Sequence, residues 1–223
     1  GYYRSTNNNL TYKPGADFFL EQYLERDIIQ SQGKAYGLEF SLRKPSGKIN
    51  GWMNYTWAKS LLKSNELKIN NRINNNEWYP SEFDRPHTFN GTINFETENF
   101  NVWSFNFTAQ SGKPYSIANG VFEINDKPIP IFLERNNSRL SLYHRLDFSW
   151  KVAYNKDEYD RWRGDWTLTI YNLYGAKNPL NKYYTEKNGA ELAEYFSKSP
   201  LGSYNISIIN SVFISLSYNF KFQ

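Results

Sequence analysis

Residues 212–222 read Val-Phe-Ile-Ser-Leu-Ser-Tyr-Asn-Phe-Lys-Phe, and Val212, Ile214, Leu216, Tyr218, Phe220 and Phe222 take every second position. Ser215, Ser217, Asn219 and Lys221 fall between them, with Phe213 the one apolar residue out of step. A period of two sends successive side chains to opposite faces of a strand. One face is therefore wholly apolar and becomes aromatic towards the C-terminus. Such a strand suits a wall with lipid on one side and water or a plug on the other.

The same alternation recurs upstream. Ala35 to Arg43 places Tyr36, Leu38, Phe40 and Leu42 opposite Gly37, Glu39, Ser41 and Arg43. Pro45-Ser46-Gly47-Lys48 supplies a tight turn. Ile49 to Trp57 then alternates through Met53 and Tyr55 against Asn50, Asn54 and Thr56. His87 to Glu96 sets Phe89, Ile93 and Phe95 against Asn90, Thr92 and Asn94, and Trp103, Phe105 and Phe107 oppose Ser104, Asn106 and Thr108. Arg145 to Asn155 and Asp165 to Tyr174 repeat the pattern, and the more polar Tyr2 to Tyr12 is expected to be a strand as well. Trp52 has the parity of the polar face.

About eight strands result, and their connections alternate in length. Short turns are expected at 45–48, 98–101 and about 155–163, and long polar segments at 14–32, 61–85, 111–143 and 175–210. Repeated connections longer than about 12–15 residues count against a compact water-soluble domain. Short turns at one end and long loops at the other are the habit of outer-membrane barrels. An inward-running last strand puts every short turn on the periplasmic side. The expected fold class is all-β, a transmembrane antiparallel β-barrel, with a soluble β-sandwich as the alternative.

Composition narrows the class. Aromatics are 18% of the 223 residues, hydrophobic residues only 39%, and the mean hydropathy is −0.73. No run approaches the roughly 18 apolar residues of a membrane helix. Lumen-facing residues would dilute a barrel's apolar signal by half, so low hydropathy does not argue against one. The absence of Cys excludes a disulfide framework and thiolate metal sites. A net charge of +4, evenly spread, gives no ground for a nucleic-acid partner.

Particular stretches resemble a family. They are Gly33-Lys34-Ala35-Tyr36-Gly37-Leu38-Glu39, Gly51-Trp52-Met53-Asn54-Tyr55-Thr56-Trp57, and Trp78-Tyr79-Pro80 with Phe83-Asp84-Arg85-Pro86-His87. Tyr143-His144-Arg145-Leu146-Asp147, Tyr171-Asn172-Leu173-Tyr174 with Lys177-Asn178-Pro179, and Ser217-Tyr218-Asn219-Phe220-Lys221-Phe222 complete the set. In this order they resemble the C-terminal portion of TonB-dependent outer-membrane receptors of the Bacteroidota type. The resemblance implies a plugged barrel of the 22-stranded kind. Residues 1–223 would supply about its eight C-terminal strands, with the plug domain and earlier strands absent. It implies residence in the bacterial outer membrane and active import of a scarce nutrient, without enzymatic activity or cofactor. The partners would be outer-membrane lipid, the TonB complex through the missing N-terminal region, a small-molecule, peptide or glycan ligand, and a surface lipoprotein as a further candidate. A passive porin or small self-contained barrel and a soluble β-rich glycan-binding module are the alternatives.

Candidate site residues fall into two groups. Asp84, Arg85 and His87 precede one inward strand, and His144, Arg145 and Asp147 open another. They suggest either a ligand or metal site at the lumen mouth or a hydrogen-bonded rim network, and the rim is the expected reading. Charges near lipid are costly unless they turn inward. No metal ligand set is assigned. The loop candidates for ligand binding are Arg72, Trp78 and Tyr79 in 61–85, and Lys113, Tyr115, Phe132 and Arg139 in 111–143. Aromatic and Arg side chains are common binding anchors. Trp57, Trp103, Trp166, Tyr36, Tyr154 and Tyr174 fit interfacial belts. Ser111-Gly112-Lys113 lacks the strand-to-helix context of a phosphate loop, and Asn-x-Ser/Thr triplets such as those at Asn54, Asn90 and Asn106 are polar-face pairs of a strand.

Overall fold

In the computed structural model, described over residues 1–14, 23–97, 101–125, 127–154, 162–186 and 201–222, eight long strands build one antiparallel sheet. They are β1 (Tyr2–Tyr12), β2 (Ile28–Lys44), β3 (Ile49–Ser64), β4 (His87–Glu96), β5 (Asn101–Gln110), β6 (Tyr143–Tyr154), β7 (Trp162–Tyr171) and β8 (Phe213–Phe222). The strands lie side by side in chain order, and Tyr79–Pro80 adds a short rung beside β3. Small ribbons stand in the long connections: Pro114–Tyr115 with Ser138–Arg139, Gly120–Ile124 with Lys127–Ile131, and Asn181–Glu186 with Leu201–Ile206. The helical pieces among the described residues are 3-10 turns at Leu24–Asp27, Ile69–Asn71 and Asn74–Asn76. The fold is all-β. Among the described residues β1 and β8 do not pair, so the sheet has two open edges.

The register carries the two-faced pattern across the sheet. Leu38 pairs with Trp57, Phe40 with Tyr55 and Leu42 with Met53. Tyr55 pairs onward with Phe89, Ile93 with Phe105, Phe105 with Phe148, Phe148 with Ile170, and Ile170 with Ile214. Directly opposite residues share a face, so one surface is apolar from β2 to β8. Its rings touch: Phe105 and Phe148 are 5.2 Å apart and Trp166 and Tyr218 4.7 Å. The reverse surface runs Asn54, Asn90, Thr108, Arg145 along one row and Ser104, Ser149, Thr169, Ser215 along another. Trp52 pairs with Arg43 and Thr92 on that polar side.

The apolar surface is not a core. Phe40 is 62% exposed, Leu216 63% and Phe220 62%. The buried apolar side chains gather instead on the polar side, where the long connections emerge. There Ile29, Ile73 and Tyr79 pack together, with Leu62 against them.

Element ends differ from the pattern in instructive places. β2 and β3 run well past Ala35 and Trp57, because backbone pairing with β1 and with each other continues where side chains stop alternating. β7 ends at Tyr171 because Asn172 turns left-handed, with φ 54. The fully buried Asn172 amide then binds both backbone groups of Ala176: Nδ2 donates to Ala176 O at 3.1 Å, and Ala176 N donates to Oδ1 at 2.8 Å. Asn172 N donates to Asp147 Oδ1 at 2.9 Å. The expected turns at 98–101 and 155–163 and the middle of 175–210 fall partly outside the described residues, as does the side chain of Tyr154.

Replacing Asn172 with Ala removes the amide bonds and leaves a β-carbon in a left-handed position, at about 2–3 kcal/mol. Asn172→Gly relieves the backbone term and is expected to cost less. Denaturant midpoints of the intact protein check the order.

Candidate functional site

The long connections are fastened to the sheet by polar clamps. Asp84 is buried, accepts Ser60 N at 2.6 Å and forms an ion pair with Arg139. Arg139 Nη1 also donates to the carbonyls of Asp84 at 3.0 Å and Gly112 at 3.3 Å. This joins the segment before β4 to the one after β5. A second clamp uses Asn74, in the left-handed region that Asn tolerates. Its amide exchanges bonds with the backbone of Arg135, at 2.9 and 2.7 Å. The Arg135 guanidinium reaches Thr11 Oγ1 at 3.0 Å and Tyr12 O at 2.9 Å on β1. Asn136 Nδ2 donates to Pro80 O at 2.8 Å.

These clamps frame a cavity of about 560 Å³ between residues 113–136 and the ribbon at 181–184. Lys113, Tyr115, Phe132, Lys182, Tyr184 and Glu82 are among its lining. The rings of Phe132 and Tyr184 meet edge to face at 5.8 Å. Lys182 Nζ stands 5.1 Å from the centre of the Tyr115 ring. Ala118 N donates to Tyr184 Oη at 3.2 Å, which fixes that ring. The lining offers flat faces for an apolar or sugar surface, two ammonium groups and one carboxylate.

Of the loop residues singled out in the sequence, Lys113, Tyr115 and Phe132 come together here. The other four lie elsewhere. Arg72 donates to the carbonyls of Glu66 and Leu67 and holds its own loop. Trp78 lies under Lys34, whose Nζ is 4.1 Å from the ring centre. Tyr79 is 2% exposed, and its Oη has no hydrogen bond within normal geometry among the described residues, although Arg135 and Thr11 stand close by. Burial pushes its phenol above the ordinary value, opposed by the Arg135 charge. Arg139 is engaged by Asp84.

The six rim residues divide three ways. Asp84 and Arg85 belong to the first clamp. Arg85 Nη1 donates to Glu82 O at 3.3 Å and Asp84 O at 3.2 Å, and burial with Arg139 nearby lowers its guanidinium from the ordinary value. Arg145 and Asp147 pair at 2.9 Å on the polar face and brace Asn172. His87 and His144 take the apolar side, opposite Trp57 and Ala109. Each hydrogen-bonds and stacks with a tyrosine: His87 with Tyr55 and His144 with Tyr174, both at 2.8 Å. Lys182 and Tyr184 were not singled out in the sequence. Their signal was the short alternation of Lys182 and Tyr184 against Tyr183 and Thr185.

Comparison with protein-family models, curated proteins and solved structures finds no match for this chain.

Arg139→Ala strips the buried Asp84 of its counter-charge and is expected to loosen the loops by about 1.5–3 kcal/mol. Limited proteolysis of 111–143 should accelerate accordingly. Lys113→Ala, which removes a cavity side chain outside the clamps, should leave that rate unchanged.

Proposed function

We propose that this chain is the C-terminal barrel wall and loop region of a TonB-dependent importer in a bacterial outer membrane, binding a scarce nutrient between its extracellular loops. The observation that carries the reading is the uncovered apolar surface, continuous in register from β2 to β8 and backed by a polar face. Water-soluble monomers rarely expose contiguous apolar patches beyond a few hundred Å². Aromatic and His–Tyr groups on that surface, at Tyr36, Trp57, Tyr55–His87 and Tyr174–His144, suit headgroup depth. Small inward Asn, Thr and Ser side chains suit a wide lumen holding a plug. That β1 and β8 do not pair with each other among the described residues suits a larger barrel of the 22-stranded kind, since open edges are not tolerated in hydrocarbon.

The ligand is met by the cavity of Lys113, Tyr115, Phe132, Lys182 and Tyr184, and the barrel contributes no covalent chemistry. Import follows when TonB, drawing on the inner-membrane proton gradient, remodels the plug. The family resemblance of the motifs supports this step.

Two measurements test the reading. Leu216→Arg near the bilayer midplane should cost about 2–4 kcal/mol, and Ser217→Arg much less; equal tolerance counts against a membrane wall. Uptake by intact cells should stop when TonB is removed or the proton gradient is collapsed. Uptake that stays linear in concentration under both conditions leaves a passive pore.

A further inference from the structure

The outward side of β1–β3 sorts its charges sharply. By register with Tyr36 and Trp57, the outward positions of β2 are residues 28 to 44 by even number, and those of β3 residues 49 to 63 by odd number. They include Lys34, Lys44, Lys59 and Lys63 and no Asp or Glu. Lys44 is at the short-turn end. The other three cluster at the long-connection end. Lys59 lies directly opposite Tyr36, Lys34 opposite Leu61, and Lys63 opposite Gln32. The cluster thus starts level with the aromatic group of Tyr3, Tyr36 and Trp57, whose rings lie 6.4 and 6.0 Å apart in sequence of contact. It climbs two steps away from the apolar band. Lys34 rests on the Trp78 ring, which also turns Trp78 to this side. Among the described residues no carboxylate pairs with any of the three. Elsewhere at this end the outward positions hold His87, Ala109 and His144.

We infer that Lys34, Lys59 and Lys63 form a binding site for the phosphate groups of an anionic lipid headgroup in the leaflet on the long-connection side. The inference rests on the membrane reading proposed above. A lipid whose chains lie along Leu38, Phe40, Tyr55 and Met53 must hold its headgroup at the level of Tyr36 and just beyond. Three ammonium groups without a carboxylate partner among the described residues stand from that level outward. Lysine suits a phosphate as a point charge. Trp78 supplies a flat wall beside the first of them, as a ring that also anchors the lysine stem. On β2 and β3 the matching face at the other end offers only Lys44 among the described residues, so the site distinguishes one leaflet from the other.

The test uses the intact protein, purified from its membrane in a nonionic detergent. Binding of phosphorylated lipid A, enzymatically dephosphorylated lipid A and inorganic phosphate is followed by native mass spectrometry and titration. Each lysine near an anionic headgroup contributes roughly a fivefold gain, so K34Q/K59Q/K63Q should weaken the phosphorylated lipid by about a hundredfold. K44Q should change it by less than about twofold, and K34R/K59R/K63R should retain it. If the Gln variant does not fold, the preference of the unaltered protein for the phosphorylated over the dephosphorylated lipid decides. Equal affinity for both lipids, an unaffected Gln variant, or competition by inorganic phosphate without lipid binding overturns the site while leaving the membrane reading intact. Release of the intact protein from membranes by alkaline carbonate, in a monodisperse form that needs no detergent, overturns both.

Discussion

A backbone that borders hydrocarbon has no water to satisfy its N–H and C=O groups, so every such group must find its partner in a neighbouring strand. The sheet meets that demand where the apolar face is widest, as the membrane reading proposed above requires. From β3 to β8 each strand pairs with the next without a register shift, over the whole apolar band. The one irregularity lies between Thr6 and Asn9 of β1, opposite the polar outer half of β2. Continuous register also keeps the two faces from mixing, since a slip of one residue would exchange them. Gly51 shows how closely the ladder is held. Its φ is 153, and a β-carbon there would run into the Thr92 carbonyl oxygen on the adjacent strand.

Because the apolar face is turned outward, it cannot serve as a core, and the long connections need another source of order. Asparagine supplies much of it. Asn74, Asn136 and Asn172 adopt left-handed backbone angles; the amides of Asn74 and Asn136 bind the backbone of distant segments, and that of Asn172 binds Ala176 four residues on and the carbonyl of Ser211 at 3.4 Å. Asn178 does the same from an extended segment, exchanging bonds with the backbone of His144 at 2.9 and 2.8 Å. Such bonds are individually modest, about 0.5–1.5 kcal/mol net, but a buried group left without one costs more. The buried Asp84, Asp147 and Asn172 therefore stand or fall as connected sets. The small cluster of Ile29, Ile73, Tyr79 and Leu62 adds apolar packing at this end.

The strands were legible in the sequence because period two is a local property. Every alternating segment from Leu38 to Phe222 became a strand of the main sheet. The polar halves of β2 and β3 were harder to read: Gln30, Ser31, Gln32 and Lys59 carry no face signal, and their strand state comes from pairing with partners far along the chain. The cavity was legible in part. Lys113, Tyr115 and Phe132 could be singled out as aromatic and cationic residues of one loop, but only the fold brings Lys182 and Tyr184 to them. Arg139 carried the same sequence signal as Lys113. What separates them is the buried Asp84, 55 residues away in the chain, and a charge partner at that range leaves no local trace. Parity read correctly would have set His87 and His144 apart from Arg145 and Asp147, since the two groups fall on opposite phases of the same strands.

The placement of charge follows the two faces. On the polar face Asp147 is matched by Arg145, and Asp165 by Lys151 at 3.3 Å and by the Asn219 amide at 3.1 Å, while Glu39 stands exposed. Outward carboxylates are missing from β2 and β3 altogether. In the proposed membrane reading both follow, because an inward charge can be answered by a partner or by water, while an outward one must reach the headgroups. The loop cavity stands apart from either set. Its lining comes from the segment holding Glu82, the segment 113–136 and the ribbon at 181–184; Asp84, paired with Arg139, ties the first to β3 through Ser60 N, and Arg135 ties the second to β1. A ligand seated there would add a bond between the third element and a rim already fixed. It would shift the position of that ribbon by no more than its differential affinity for the closed arrangement. In the importer reading, binding therefore draws on the 181–184 ribbon, and the clamps at Asp84 and Asn74 hold the mouth against which it closes.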